Sequence, residues 1–88
     1  MKAEQIHVVK SPLNYDDGEY VLAVRRLNGD IFCFIWVGQD IQVREALNGS
    51  VNIKTLNCVW EAIEYCKNLL EIYFNKPVKI KNDFDYED

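Results

Sequence analysis

Few residues of this 88-residue chain could do chemistry, and their spacing is poor for it. The single histidine, His7, would have to act as the base for a cysteine nucleophile, and Cys33, Cys58 and Cys66 are the candidates. Such dyads need the base within hydrogen-bond reach of the thiol. His7 sits on a first β-like run and the cysteines on a second run and a helix, so a structural role is expected for all four. Glu61 and Glu64 share a helix face at i, i+3, as a carboxylate pair would, but with Lys67 and Glu71 they read more simply as a solvated stripe. Asp16-Asp17-Gly18-Glu19 lacks the alternating ligand spacing of a calcium loop. The expectation is a protein with no catalytic residues, no metal and no cofactor, and therefore no enzyme.

The charge pattern says more. Asp83-Phe84-Asp85-Tyr86-Glu87-Asp88 holds four of the fourteen acids and none of the ten bases, so residues 1–82 balance at ten against ten. A second acidic knot, Tyr15-Asp16-Asp17-Gly18-Glu19-Tyr20, adds three more acids and leaves the other 76 residues at +3, ten bases against seven acids. Segregated charge bears on partners and steering more than on fold. The chain reads as one domain over 1–82 with an acidic tail at 83–88. Phe84 and Tyr86 suit contact with a partner, whereas a solubilising tail needs no rings.

Three cysteines without a CxxC pair suggest neither a disulfide framework nor a zinc cage. With no apolar run near 18 residues, they point to a cytoplasmic protein with reduced thiols and no membrane contact. The apolar fraction of 49% is enough for a packed core.

The elements that must position these residues follow from pattern. Gln5 to Lys10 reads as a strand ended by Ser11-Pro12. Glu19 to Leu27 and Asp30 to Val37 read as a hairpin across Asn28-Gly29, a type I′ turn pair. A two-residue loop would set Leu27 opposite Asp30, Arg25 opposite Phe32, Ala23 opposite Phe34 and Val21 opposite Trp36. Tyr20, Leu22 and Val24 then share a core face with Ile31, Cys33, Ile35 and Val37. The other face carries Val21, Ala23 and Arg25 with Phe32, Phe34 and Trp36, and Arg25 can lie over Phe32 as a cation–π pair. Residues 38–54 are ambiguous between a short helix and strand-like or irregular structure, the second being favoured. Thr55 opens a long helix to about Asn75, stopped by Pro77. Its polar positions Asn57, Glu61, Glu64, Asn68, Glu71 and Asn75 leave an apolar arc wider than one sheet requires. Val78-Lys79-Ile80-Lys81 closes the fold as a strand with lysines outward.

The expected fold is α+β: an antiparallel sheet of four to five strands packed against one long helix in the order β-β-β-(β)-α-β. The expected function is a small acidic binding module, an inhibitor or antagonist of a larger protein that is basic or handles nucleic acid. Its contact residues would be Arg25, Phe32, Phe34 and Trp36 on the sheet face, Asp16, Asp17 and Glu19 in the loop, and Asp83, Phe84, Asp85, Tyr86, Glu87 and Asp88 in the tail. The alternatives are a homodimeric interaction domain and, on an aromatic sheet face beside an arginine, a platform that stacks single-stranded nucleic acid. The last is the least favoured, since the chain is not basic.

Overall fold

The computed structural model describes residues 2–11, 19–47 and 52–83. Six strands are found there: β1 Glu4–Lys10, β2 Tyr20–Arg25, β3 Ile31–Val37, β4 Ile41–Glu45, β5 Ile53–Leu56 and β6 Val78–Asp83. One helix, α1 Val59–Phe74, separates β5 from β6. The sheet order is β5-β4-β3-β2-β1-β6, antiparallel throughout except that β6 runs parallel to β1. The α+β class is as expected, but the sheet has six strands and is mixed. The last connection explains the parallel pair. A 16-residue helix is about 24 Å long, and five interstrand steps also span about 24 Å. Helix α1 therefore carries the chain from one margin of the sheet to the other and returns it alongside β1.

Helix α1 starts at Val59, not at Thr55. Ile53 to Leu56 pair with Arg44 to Ile41, so the sheet takes Thr55 and Leu56 as an edge strand. The first helical bond is Ala62 N–H to Cys58 C=O. The helix ends at Asn75, whose φ of 55° is the left-handed C-terminal cap, with Pro77 following. The ambiguous stretch 38–54 contains β4 and the start of β5, in keeping with its strand-like alternation.

The core lies between α1 and one face of the sheet. Ile6, Val8, Leu22, Val24, Cys33, Ile35 and Val43 from the strands meet Ala62, Ile63, Cys66 and Leu70 from the helix. Cys33 and Cys66 touch across this interface. Their mutual hydrogen bond, with burial second, pushes the Cys66 thiol far above the ordinary cysteine range. Cys58, by contrast, is exposed just before the helix start.

The hairpin turn differs from the sequence expectation in one residue, and much follows from it. Arg26 N–H donates to Asp30 C=O and Gly29 N–H to Arg26 C=O, so the loop is the three residues Leu27, Asn28 and Gly29. Only Gly29 has a positive φ, 122°. This is the three-residue hairpin form with a glycine bulge instead of the two-residue type I′ turn. A further irregularity follows at once: Val24 pairs with Cys33 but Arg25 with Ile31. Phe32 is the extra residue of a β-bulge.

Two outcomes are expected. Gly29→Val forces a β-branched residue to positive φ and should destabilise the domain by about 1–3 kcal/mol, read as a lower urea midpoint at constant m-value; an unchanged midpoint would contradict the turn. A thiol reagent under native conditions should label Cys58 quickly and Cys33 and Cys66 only at the rate of opening, against three equal rates if the helix start were buried.

Candidate binding face

The bulge divides the aromatic residues of β3 between the two faces. Phe32 and Cys33, adjacent in sequence, both turn toward the helix, as neighbouring residues across a bulge can. Phe32 is buried in the core cluster. Its ring meets Phe74 edge-on at a centroid distance of 5.3 Å and Tyr73 at 6.2 Å. Phe32 therefore does not belong to the helix-free face, contrary to the reading with an unbroken register. Ile31, expected in the core, lies opposite Arg25 and is exposed. From Cys33 onward the two registers agree, so Ala23 opposite Phe34 and Val21 opposite Trp36 are found as expected.

The cation–π pair is also re-assigned. Arg26, not Arg25, lies over Phe32 at 5.6 Å and over Phe74 at 5.0 Å. Its Nη2 donates to Glu4 Oε1 at 2.6 Å, and Nη1 reaches Asp30 at 3.5 Å. The hydrogen bond from Arg26 holds the Glu4 carboxyl below its ordinary value of 4.5. Arg25 donates from Nε to its neighbour's carbonyl, Arg26 C=O. A guanidinium between two rings, anchored to β1, thus ties the hairpin base to the helix end.

The opposite face carries no helix among the described residues. Strand alternation and pairing lay it out in rows. One row runs Lys81, His7, Arg25; the next Asp83, Val9, Ala23, Phe34, Arg44; the third Val21, Trp36, Gln42, Thr55. Val21 and Ala23 are buried and Phe34 and Trp36 half-buried. The Arg44 guanidinium lies over the Trp36 ring at 4.7 Å, a diagonal pairing between neighbouring strands. His7 is buried, and its Nδ1 meets Asp83 Oδ2 at 2.5 Å across the parallel pair β1 and β6.

An antiparallel sheet with one solvated face normally presents polar residues there. Among the described residues this face has an apolar centre of Val9, Val21, Ala23, Phe34 and Trp36 with Arg25, Arg44, Lys79 and Lys81 around it, and its acids are Asp83 and, at the margin, Glu19 beside Gly38. The helix shows the other sign, with Glu61 and Glu64 exposed.

Of the residues singled out by sequence, the structure brings Arg25, Phe34, Trp36 and Asp83 onto one face. Glu19 precedes β2, its carboxylate near Gly38. Asp83, read as the first residue of the tail, is the last residue of β6. Asp16, Asp17, Phe84, Asp85, Tyr86, Glu87 and Asp88 lie outside the described residues. Arg44, Lys79, Lys81 and His7 were missed as face residues, because their side depends on the pairings of β4 and β6, which local pattern does not supply. Among the described residues no group of three or more His, Cys, Asp and Glu side chains is placed to hold a metal ion, and no helix is long and apolar enough to cross a membrane. Comparison with protein-family models, curated proteins and solved structures finds no match to this chain.

The Glu4–Arg26 bond has a testable pH dependence. A carboxyl whose pKa is lowered by folding stabilises the fold above its unfolded value, and that contribution is lost as pH falls through the lower folded value. Stability measured from neutral pH down to below 4.5 should therefore fall less steeply in Glu4→Gln than in the native chain. Parallel curves would contradict the pairing.

Proposed function

We propose that this chain is a non-enzymatic binding module, an inhibitor or antagonist of a larger protein, and that its working surface is the helix-free sheet face. The observation that carries this reading is the stack of Arg44 on Trp36 at 4.7 Å, set in an apolar centre that the described helix leaves uncovered. Tryptophan and arginine are the side chains that most often carry interface energy. A planar cation already seated on a ring also spares the ordering cost that a loose arginine would bring to association.

The face favours a partner with an acidic surface. Four cations surround the rings, and complementary potential acts on encounter rate and on choice of partner. This shifts the charge expected of the partner from basic, as the whole-chain balance suggested, to acidic where it meets the sheet. An acidic polynucleotide would satisfy the same cations and stack on the same rings. Protein is the reading adopted, because the buried apolar residues Val21 and Ala23 beside the rings suit the desolvated centre of a protein interface.

A paired measurement tests it. The native chain, Trp36→Ala and Arg44→Glu are used as bait in extract of the source cell. A single protein is expected that the native chain retains and both variants lose, with Trp36→Ala weakening the purified complex by about 2 kcal/mol or more. Circular dichroism should show both variants folded. Equal retention by all three baits would reject the face. Tight binding of a single-stranded oligonucleotide that Trp36→Ala abolishes would replace the protein partner by nucleic acid.

A further inference from the structure

Strand β6 ends the sheet among the described residues, pairing with β1 on one side. Glu4 N–H donates to Pro77 C=O, which turns the backbone groups of the odd-numbered residues of β6 toward β1. The even-numbered residues turn theirs outward. Val78 shows this directly, since its N–H donates to the Glu71 carboxylate on the helix. That contact caps the first outward donor, and the N–H and C=O groups of Ile80 and Asn82 follow it along the edge. Backbone donors and acceptors in such a line are a template for one kind of ligand, another extended chain.

The helix side of the same edge supplies a place for a side chain. A groove of about 340 Å³ runs between α1 and β6, lined by Trp60, Ile63, Lys67, Val78 and Ile80 among others. That volume lies at the small end of the roughly 300–1,000 Å³ of ligand pockets, the scale of a side chain and not of a cofactor. Ile63 and Val78 are buried, while Trp60 is 58% exposed and stands on the solvent side. Apolar surface and unpaired strand edge thus lie next to one another.

We propose that this edge receives an extended segment of a partner protein as a further strand, antiparallel to β6, with a large apolar side chain set into the groove beside Trp60. In an antiparallel pair, residues directly opposite lie on the same side of the sheet. A segment residue opposite Ile80 exchanges both backbone hydrogen bonds with it and directs its side chain into the groove, over Ile63 and Val78. The residue two positions earlier in the segment does the same with Asn82, so the site reads alternate positions. Val78 N–H, already taken by Glu71, marks where the pairing stops. A second copy of this chain does not suit the edge. Two β6 strands paired antiparallel about Ile80 or Lys81 would set lysine against lysine, and like charges directly opposite destabilise. Lys79 and Lys81 belong by alternation to the helix-free side and are left to that face. The edge site uses neither Trp36 nor Arg44.

A library of random heptapeptides displayed on phage, panned against the immobilised full chain, supplies the probe. Recovered sequences are expected to share large apolar residues, aromatic ones foremost, two positions apart. A synthetic peptide of the shared sequence should protect the Ile80 and Asn82 amides from hydrogen exchange. Trp60→Ala should weaken its binding about tenfold or more, and Trp36→Ala should leave it unchanged. Asn82→Pro removes an outward donor without touching a bond to β1, and should abolish binding while circular dichroism shows the fold kept. Methylating the peptide's backbone nitrogen at each of the two spaced residues in turn removes the matching bonds with the protein untouched, and should abolish binding as well. No recovered peptide, peptides lost by Trp36→Ala but kept by Trp60→Ala, or binding indifferent to N-methylation would overturn the proposal. A native chain that sediments at twice 10.3 kDa and as a single copy in Asn82→Pro would overturn it equally, giving the edge to a second copy.

Discussion

One bulged residue in β3 divides the aromatic side chains of this protein between its two surfaces. Had the hairpin kept an unbroken register, Phe32 would stand beside Phe34 and Trp36, and the helix end would lose its principal ring contact. Because Arg25 pairs with Ile31 and Val24 with Cys33, Phe32 instead closes the core against Phe74. Arg26 then fits between the two rings with Glu4 as its counter-ion. Strand β1, the hairpin base and the helix C-terminus are thereby joined at one end of the molecule. The apolar centre left on the other face is smaller, and is ringed by cations.

The helix imposes the second constraint. It crosses nearly the full width of the sheet, so the strand that follows it must pair at the far margin, beside β1 and parallel to it. That placement brings Lys79, Lys81 and Asp83 onto the same side as His7 and Arg25. It also leaves β6, not β1, as the open edge. The polarity of the molecule, acids on the helix and cations across the sheet, is thus a consequence of topology. Alternation along β6 decides which of its residues join the cationic side, and Val78 and Ile80 pack toward the helix.

Much of this was legible in local pattern, and the failures have physical causes. The hairpin, its glycine, the core alternation of β2 and of β3 from Cys33 onward, the helix with its polar stripe and the closing strand all follow from short-range rules of turn chemistry and periodicity. The bulge does not, because Asn28-Gly29 suits both a two-residue loop and a three-residue loop with Gly29 in the bulge. The choice depends on whether Phe32 gains more by packing on Phe74, a contact 42 positions away in the chain. Thr55 and Leu56 went to the sheet because pairing with β4 outweighed their place in a helical pattern, and Cys58 was left exposed as a result. The parallel β1–β6 pair brings together residues more than 70 positions apart, beyond the reach of any window of neighbours. Of the candidate site, Arg25, Phe34 and Trp36 were visible from the hairpin alone. Arg44, Lys79 and Lys81 needed the strand order.

The bulge can be tested without a partner or a mutation, by proton nuclear Overhauser contacts in the native chain. Cross-peaks are expected between the Phe32 ring and the rings of Phe74 and Tyr73, together with a close Hα contact between the paired strands at Arg25 and Ile31. Cross-peaks from Phe32 to side chains of the Phe34 and Trp36 face, with Arg25 opposite Phe32, would contradict it and return all three rings to a single surface.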